Sequence, residues 1–271
     1  MKQRIITALL VTPFAIALIL YVPVQFVAAI IGGLCLIAAW EWTRLSGMRS
    51  RPLRAVMVAL AALTMIALWC CASLPVWWSF IAIGCVWWVV AFFWLRSFSF
   101  AASPTNEHTA IKLVAGALTV LPAWAGLMRI QLTQDTPHTW ALYSLFIVWA
   151  ADSFAYLAGR SFGRNKLAPQ ISPGKTREGV YGALAGVALV AALGGWLLDV
   201  RGVTLLLLVV VSLVSVSFSV IGDLFESLLK RHAGVKDSGA FFPGHGGVCD
   251  RLDGVFAALP IFALGKAMLG L

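Results

Sequence analysis

Charge is what this sequence has least of. Of its 271 residues, 11% are Asp, Glu, Lys or Arg and 61% are hydrophobic. A soluble globular chain carries about 25% charged residues, so the deficit excludes an ordinary water-soluble domain. Metal-binding cysteine patterns are missing as well. The five cysteines, Cys35, Cys70, Cys71, Cys85 and Cys249, show no paired metal-site spacing, which leaves neither a zinc site nor a disulfide framework. Four of them lie inside apolar runs, where a thiol behaves as a small hydrophobe. No internal inverted repeat is visible, which counts against transporter architectures built that way. The opening stretch MKQRIITALLVTPFAIALILY is basic at its start, but no small-x-small cleavage site follows promptly. It reads as a retained first helix rather than a signal peptide.

Long apolar runs fill the space that charge leaves. Uncharged stretches such as Ala55–Ala72 and Val76–Leu95 are long enough, at about 20 residues, to cross a hydrocarbon core as helices. Nine spans are expected near 5–21, 24–43, 55–72, 76–95, 111–129, 140–158, 180–198, 203–229 and 254–270, with an eight-span reading as the alternative. The expected fold is an all-α polytopic membrane protein: N-terminal transmembrane helices over 1–130, then a C-terminal region, 131–271, carrying loops 159–179 and 230–253. With the N-terminus inside, 17 of the 20 Lys and Arg residues fall on the inner side and only Arg129, Arg201 and Lys266 on the outer. That asymmetry sets the N-terminus in the cytoplasm and the C-terminus outside. It also places the chemistry at the cytoplasmic face of the inner membrane, where the net charge of +9 meets anions and headgroups.

Several constellations carry possible chemistry. Ser212, Ser215, Ser219, Asp223, Glu226 and Lys230 are spaced 3, 4, 4, 3 and 4 apart, one polar stripe on a helix. The serines read as packing contacts and Glu226–Lys230 as an i,i+4 pair. Asp223, about 10 Å from Lys230 along the axis, reads as functional, because an acid at membrane depth needs a partner or a wet cavity. Asp152, Tyr156 and Arg160 share another helical face. Asp152 either neutralises Arg160 or lines the cavity of Asp223. The stretch SPGKT, residues 172–176, is not a P-loop: Pro169 stands where that motif needs Gly. Its backbone, hydroxyls and Lys175 still suit phosphate oxygens, although a plain basic loop would look the same. In PGHGGVCDRLDG, glycines flank His245, and Asp250 and Asp253 share a face. Paired carboxylates suit Mg²⁺, or else cap a helix N-terminus. The Asp-x-x-Asp-Gly beginning fails as a CDP-alcohol phosphotransferase motif, since Ala258 stands where Arg is required.

Taken together, Ser227-x-Leu229-Lys230-Arg231, Lys236-Asp237-x-Gly239 and Phe242-Pro243-x-His245-Gly246-Gly247-Val248-x-Asp250-Arg251-Leu252-Asp253 resemble the long signature of phosphatidate cytidylyltransferases, the CDP-diacylglycerol synthases. The resemblance continues upstream through Asp152, Phe162-Gly163, LAPQISPGKT and Glu178-Gly179. It departs at Arg177, where that family usually has an aromatic. It implies transfer of CMP from CTP to phosphatidate, with Mg²⁺ held by Asp223, Asp250 and Asp253 and with a possible second cation such as K⁺. It further implies that Lys230, Arg231, Lys236 and Arg251 neutralise phosphates, with Asp237 beside them and His245 orienting one. Ser172, Lys175, Thr176, Asp152 and Glu226 would contact substrate. Implied partners are the bilayer and a second copy of the chain; no nucleic acid is expected. The competing reading is a transporter or flippase for an anionic lipid or solute.

Overall fold

The structure is a computed structural model that describes residues 13–133, 137–241 and 246–271. Residues 13–21 are helical (α1), followed by α2 (Val24–Leu45), α3 (Arg51–Cys71), α4 (Leu74–Trp94), α5 (Asn106–Gln131) and α6 (Pro137–Phe162). A two-stranded antiparallel hairpin, β1 (Lys166–Ala168) and β2 (Ser172–Thr176), precedes α7 (Arg177–Leu197), α8 (Gly202–His232) and α9 (Cys249–Met268). Among the described residues, seven helices, α2 to α8, are long and apolar enough to cross a membrane. Large apolar side chains such as Leu189, Leu206 and Val86 point outward from the bundle, as lipid-facing surfaces do. The hairpin lies within the loop expected at 159–179, and the rest of the described fold is helical.

Several helices run beyond the expected spans, because backbone hydrogen bonding continues into the interface until something stops it. Thr105 starts α5 by accepting the His108 N–H at 3.2 Å. Thr176 does the same for α7 through the Gly179 N–H, also at 3.2 Å. α8 ends where Gly234 turns left-handed (φ 67°) and the Val235 N–H returns to the Lys230 carbonyl at 2.9 Å.

α5 is the most enclosed of the seven spans, and α9 packs against α4, α5, α6 and α8. Phe225 of α8 meets the rings of Trp42, Trp87, Trp88 and Trp94 at centroid distances of 6.2, 5.5, 6.3 and 5.2 Å. These offset and edge-on contacts lock the N-terminal helices to α8. Small residues join α6 to α7: a Cβ on Gly182 or Gly186 would collide with Ala158 or with the Phe154 ring. Contacts between distant segments gather the polar loops at one end of the bundle. Arg44 Nη2 donates to the carbonyls of Asp237 and Ser238, Arg231 Nε donates to the Ile171 carbonyl, and a His232 ring nitrogen lies 2.6 Å from the Phe98 carbonyl.

Candidate active site

At that end a cavity of about 480 Å³ opens between α6, α7, α8 and the hairpin, lined on its polar side by Asp152, Tyr156, Arg160, Lys175, Thr176 and Asp223. Helical periodicity accounts for the first three, which lie one turn apart along α6. Of the two roles open to Asp152, it takes the cavity. Arg160 donates to the Tyr156 hydroxyl at 3.0 Å, which holds the guanidinium over the opening. Across the cavity, Lys175 Nζ sits 2.5 Å from Asp223 Oδ2, with side-chain exposures of 25% and 38%, so the pair remains reachable. Ser227 Oγ adds a longer hydrogen bond to Asp223 at 3.4 Å. The hairpin brings Lys175 here because Glu178 gathers its base, accepting from the Arg164 N–H, the Asn165 N–H and Asn165 Nδ2. Ser172 pairs with Ala168 at the far end of β2 and does not line the cavity.

Beside the cavity, α8 crosses α9, and the carbonyl of Asp253 lies where a Cβ on Gly222 would stand. The Asp253 side chain accepts from the Gly254 N–H at 2.7 Å and interacts with the charges of Asp223, Glu226 and Lys175. Glu226 and Lys230 form the expected i,i+4 pair at 2.5 Å, and Lys230 also reaches Asp250 Oδ1 at 2.7 Å. Spacing alone did not reveal that bridge from α8 to α9. Both Asp250 oxygens are engaged: beyond Lys230, the carboxylate accepts from the Ser238 N–H, Ser238 Oγ and the Gly247 N–H. The expected serine contacts are present as well. Ser212 Oγ lies 3.0 Å from the Tyr143 hydroxyl, and Ser212, Ser215 and Ser219 are buried.

The remaining expected residues sit around this core. Arg231 is exposed and tied to the hairpin turn. Lys236 and Asp237 are exposed in the turn after α8. Arg251 occupies the exposed side of the first turn of α9, where its charge interacts with that of Asp152. His245 lies outside the described residues. Sequence reasoning missed Glu41 of α2, buried beneath the loop before α9, where it accepts from Ser238 Oγ, Val248 N–H and Cys249 N–H. Its one signal was an acid inside an apolar run, a type of residue that always needs partners.

Charge and shape therefore combine in one place. Lysines and arginines surround carboxylates at the polar end of an apolar bundle, beside a cavity with one polar wall and one wall of α7 backbone and small side chains. Comparison with known proteins gives the family. A family model described as "Cytidylyltransferase family" matches residues 2–268. The phosphatidate cytidylyltransferase of Pseudomonas aeruginosa is 39% identical over 97% of this chain and 96% of its own length. That of Haemophilus influenzae is 35% identical over 97% of each. That of Bacillus subtilis is 43% identical over 45% of each. The chain belongs to the cytidylyltransferase family.

Proposed function

We propose that this chain transfers CMP from CTP to phosphatidate, giving CDP-diacylglycerol and pyrophosphate. The observation that carries the reading is the cavity itself. It places Lys175–Asp223 and Arg160 at the polar end of lipid-facing helices, where an anchored phosphate and a soluble polyanion can meet. A phosphate oxygen of phosphatidate attacks the α-phosphorus of CTP in line, and the bond from that phosphorus to the β-phosphate oxygen breaks as pyrophosphate leaves. The attacking oxygen is already ionised, so no protein nucleophile is required. What the protein supplies is alignment and charge neutralisation. Lys175 and Arg160 receive the lipid phosphate. Lys230, Arg231, Lys236 and Arg251 balance the nucleotide phosphates, and the Thr176 hydroxyl retains a proton to donate.

The donor chemistry suits Mg²⁺. Asp223 and Asp253 offer hard oxygens, and Oε1 of buried Glu226 has no hydrogen-bond partner. Asp223 and Asp253 would hold the ion, which would take the rest of its shell from phosphate and water. When bound it would supply charge neutralisation to the phosphate oxygens. With its oxygens occupied, Asp250 acts by holding Lys230 in place.

As part of the same reading, the span expected near 5–21, whose first part lies outside the described residues, and α9 complete nine spans in the inner membrane, with the N-terminus and the site facing the cytoplasm. The charge asymmetry supports this orientation. Association as a homodimer belongs to the reading as well, and crosslinking in native membranes tests it. The activity is tested with the full chain in mixed micelles of detergent and phosphatidate, with CTP and Mg²⁺. Equimolar CDP-diacylglycerol and pyrophosphate are expected, and neither without phosphatidate. Absence of both products, together with anionic-lipid translocation in vesicles, would replace this reading with the flippase.

A further inference from the structure

A buried carboxylate in the N-terminal half carries an inference beyond this scheme. Glu41 lies near the polar end of α2 and is only 6% exposed. No ion pair within 4 Å is found for it among the described residues. Its compensation is a ring of donors from one distant loop: Ser238 Oγ at 3.0 Å, Val248 N–H at 3.1 Å and Cys249 N–H at 2.9 Å. The last two are the first amides of α9, whose N-cap, Val248, has no side-chain cap of its own. Glu41 therefore caps α9 from another helix, where the partial positive charge of a helix N-terminus favours an anion. One helical turn away, Arg44 Nη2 holds the backbone of the same loop through the carbonyls of Asp237 (3.3 Å) and Ser238 (2.8 Å).

The loop is also shaped around this carboxylate. A Cβ on either Gly239 or Gly247 would overlap Glu41 oxygens. The two segments that meet at Glu41, 238–239 and 247–249, also donate the Ser238 and Gly247 N–H groups to Asp250, whose Oδ2 shares the single Ser238 hydroxyl proton with Glu41. Asp250 in turn holds Lys230. We propose that Glu41 is a positioning residue for cytidylyl transfer: it pins both segments so that Asp250, Lys230 and the first turn of α9 are set before substrates arrive. All three Glu41 partners are donors, and the two carboxylate oxygens accept all of them. Glutamine has one acceptor oxygen and would turn an NH₂ group toward an N–H.

The inference rests on the activity proposed above, and its test separates the two. In full-length protein with the other four cysteines replaced, Cys249 is buried, its thiol directed at the Ala38 carbonyl. Its alkylation by a small maleimide in detergent reports directly on the anchor. In Glu41→Gln, alkylation of Cys249 is expected to accelerate at least 10-fold. kcat should fall at least 30-fold while KM for phosphatidate, set at the α6–α7 cavity, stays within about 3-fold. Gly239→Ala, whose methyl would have only Glu41 atoms as its nearest neighbours, should reproduce the kcat loss. In Glu41→Ala, where that space is open, adding Gly239→Ala should cost little more, giving a non-multiplicative cycle. Inert Cys249 with kcat within 3-fold in Glu41→Gln would overturn the proposal. So would equal loss of kcat and lipid affinity, or multiplicative effects in the cycle. If the glutamine variant does not fold, Gly239→Ala decides alone, and wild-type turnover in it overturns the anchor. Wild-type protein that makes no CDP-diacylglycerol refutes the activity instead, and the alkylation rates still judge Glu41.

Discussion

Replacing Lys230 with Met is expected to destabilise the protein more than any other single change at the site. The Lys230 ammonium bridges Glu226 at 2.5 Å and Asp250 at 2.7 Å, and the three side chains are 11%, 1% and 7% exposed. Methionine keeps the stem's volume, so packing is preserved and the loss is electrostatic. It leaves Glu226 buried without its cation, beside the carboxyl groups of Asp250 and Asp253. Removing one member of a buried pair costs about 3–5 kcal/mol, and each 1.4 kcal/mol is about tenfold in the equilibrium. Asp250 suffers less, because the Ser238 and Gly247 N–H donors remain. Glu226→Met added to Lys230→Met removes the stranded charge and should recover at least about half of the lost stability, because replacing both partners by apolar groups is near neutral. Turnover should not return, since the cation proposed to balance nucleotide phosphate is gone. Unfolding by increasing SDS fraction in mixed micelles measures the first quantity, and initial rate measures the second. A Lys230→Met protein that unfolds at the wild-type midpoint would refute the reasoning, as would a double variant less stable than the single.

Three further outcomes follow from the same geometry. Asp223→Asn and Asp253→Asn should each lower kcat/KM by about 100-fold or more, and extra Mg²⁺ should partly restore the Asp223 variant by mass action. Normal rates at saturating Mg²⁺ would remove both from the metal site. Gly182→Ala forces a methyl into Ala158 across the α6–α7 seam, with an expected loss of about 1–3 kcal/mol and a raised KM for phosphatidate. An unchanged KM would mean that the cavity wall does not read the lipid. Cysteine at Ser172, in a background without native cysteines, should resist an impermeant thiol reagent in intact cells and react after lysis; labelling before lysis would invert the topology.

Seven of the expected spans were legible because lipid-crossing helices must be apolar over about 20 residues, and little else in a sequence looks like that. The α6 face was legible for a similar reason: Asp152, Tyr156 and Arg160 recur at helical spacing, and they line one cavity with Asp223. The hairpin was not, because its strands are three and five residues long and one contains Pro173 and Gly174. It is held from outside, by Glu178. Bridges between remote segments were equally hidden. Lys230 reads locally as the partner of Glu226, and only the crossing of α8 and α9 brings Asp250 to it. Glu41 is the extreme case, bonded to residues about 200 positions away. A one-dimensional pattern shows that a buried acid needs donors, not where they come from.

One consequence lies in the length of α8. At 31 residues and 1.5 Å per residue it is a rod of about 46 Å, against a hydrocarbon core of about 30 Å. Counted from Gly202, Asp223 stands about 32 Å along it and Lys230 about 42 Å. The rod is thus a depth gauge: it fixes the height of the carboxylates and lysines from the opposite end of the membrane, whereas the substrate phosphate rides at a height set by the lipid itself. The two heights coincide best in a bilayer of matching thickness, a mismatch having to be taken up by tilt or by local deformation of the bilayer. Acyl-chain length is then expected to act twice, through the lipid in the cavity and through the thickness of the sheet in which the gauge is planted.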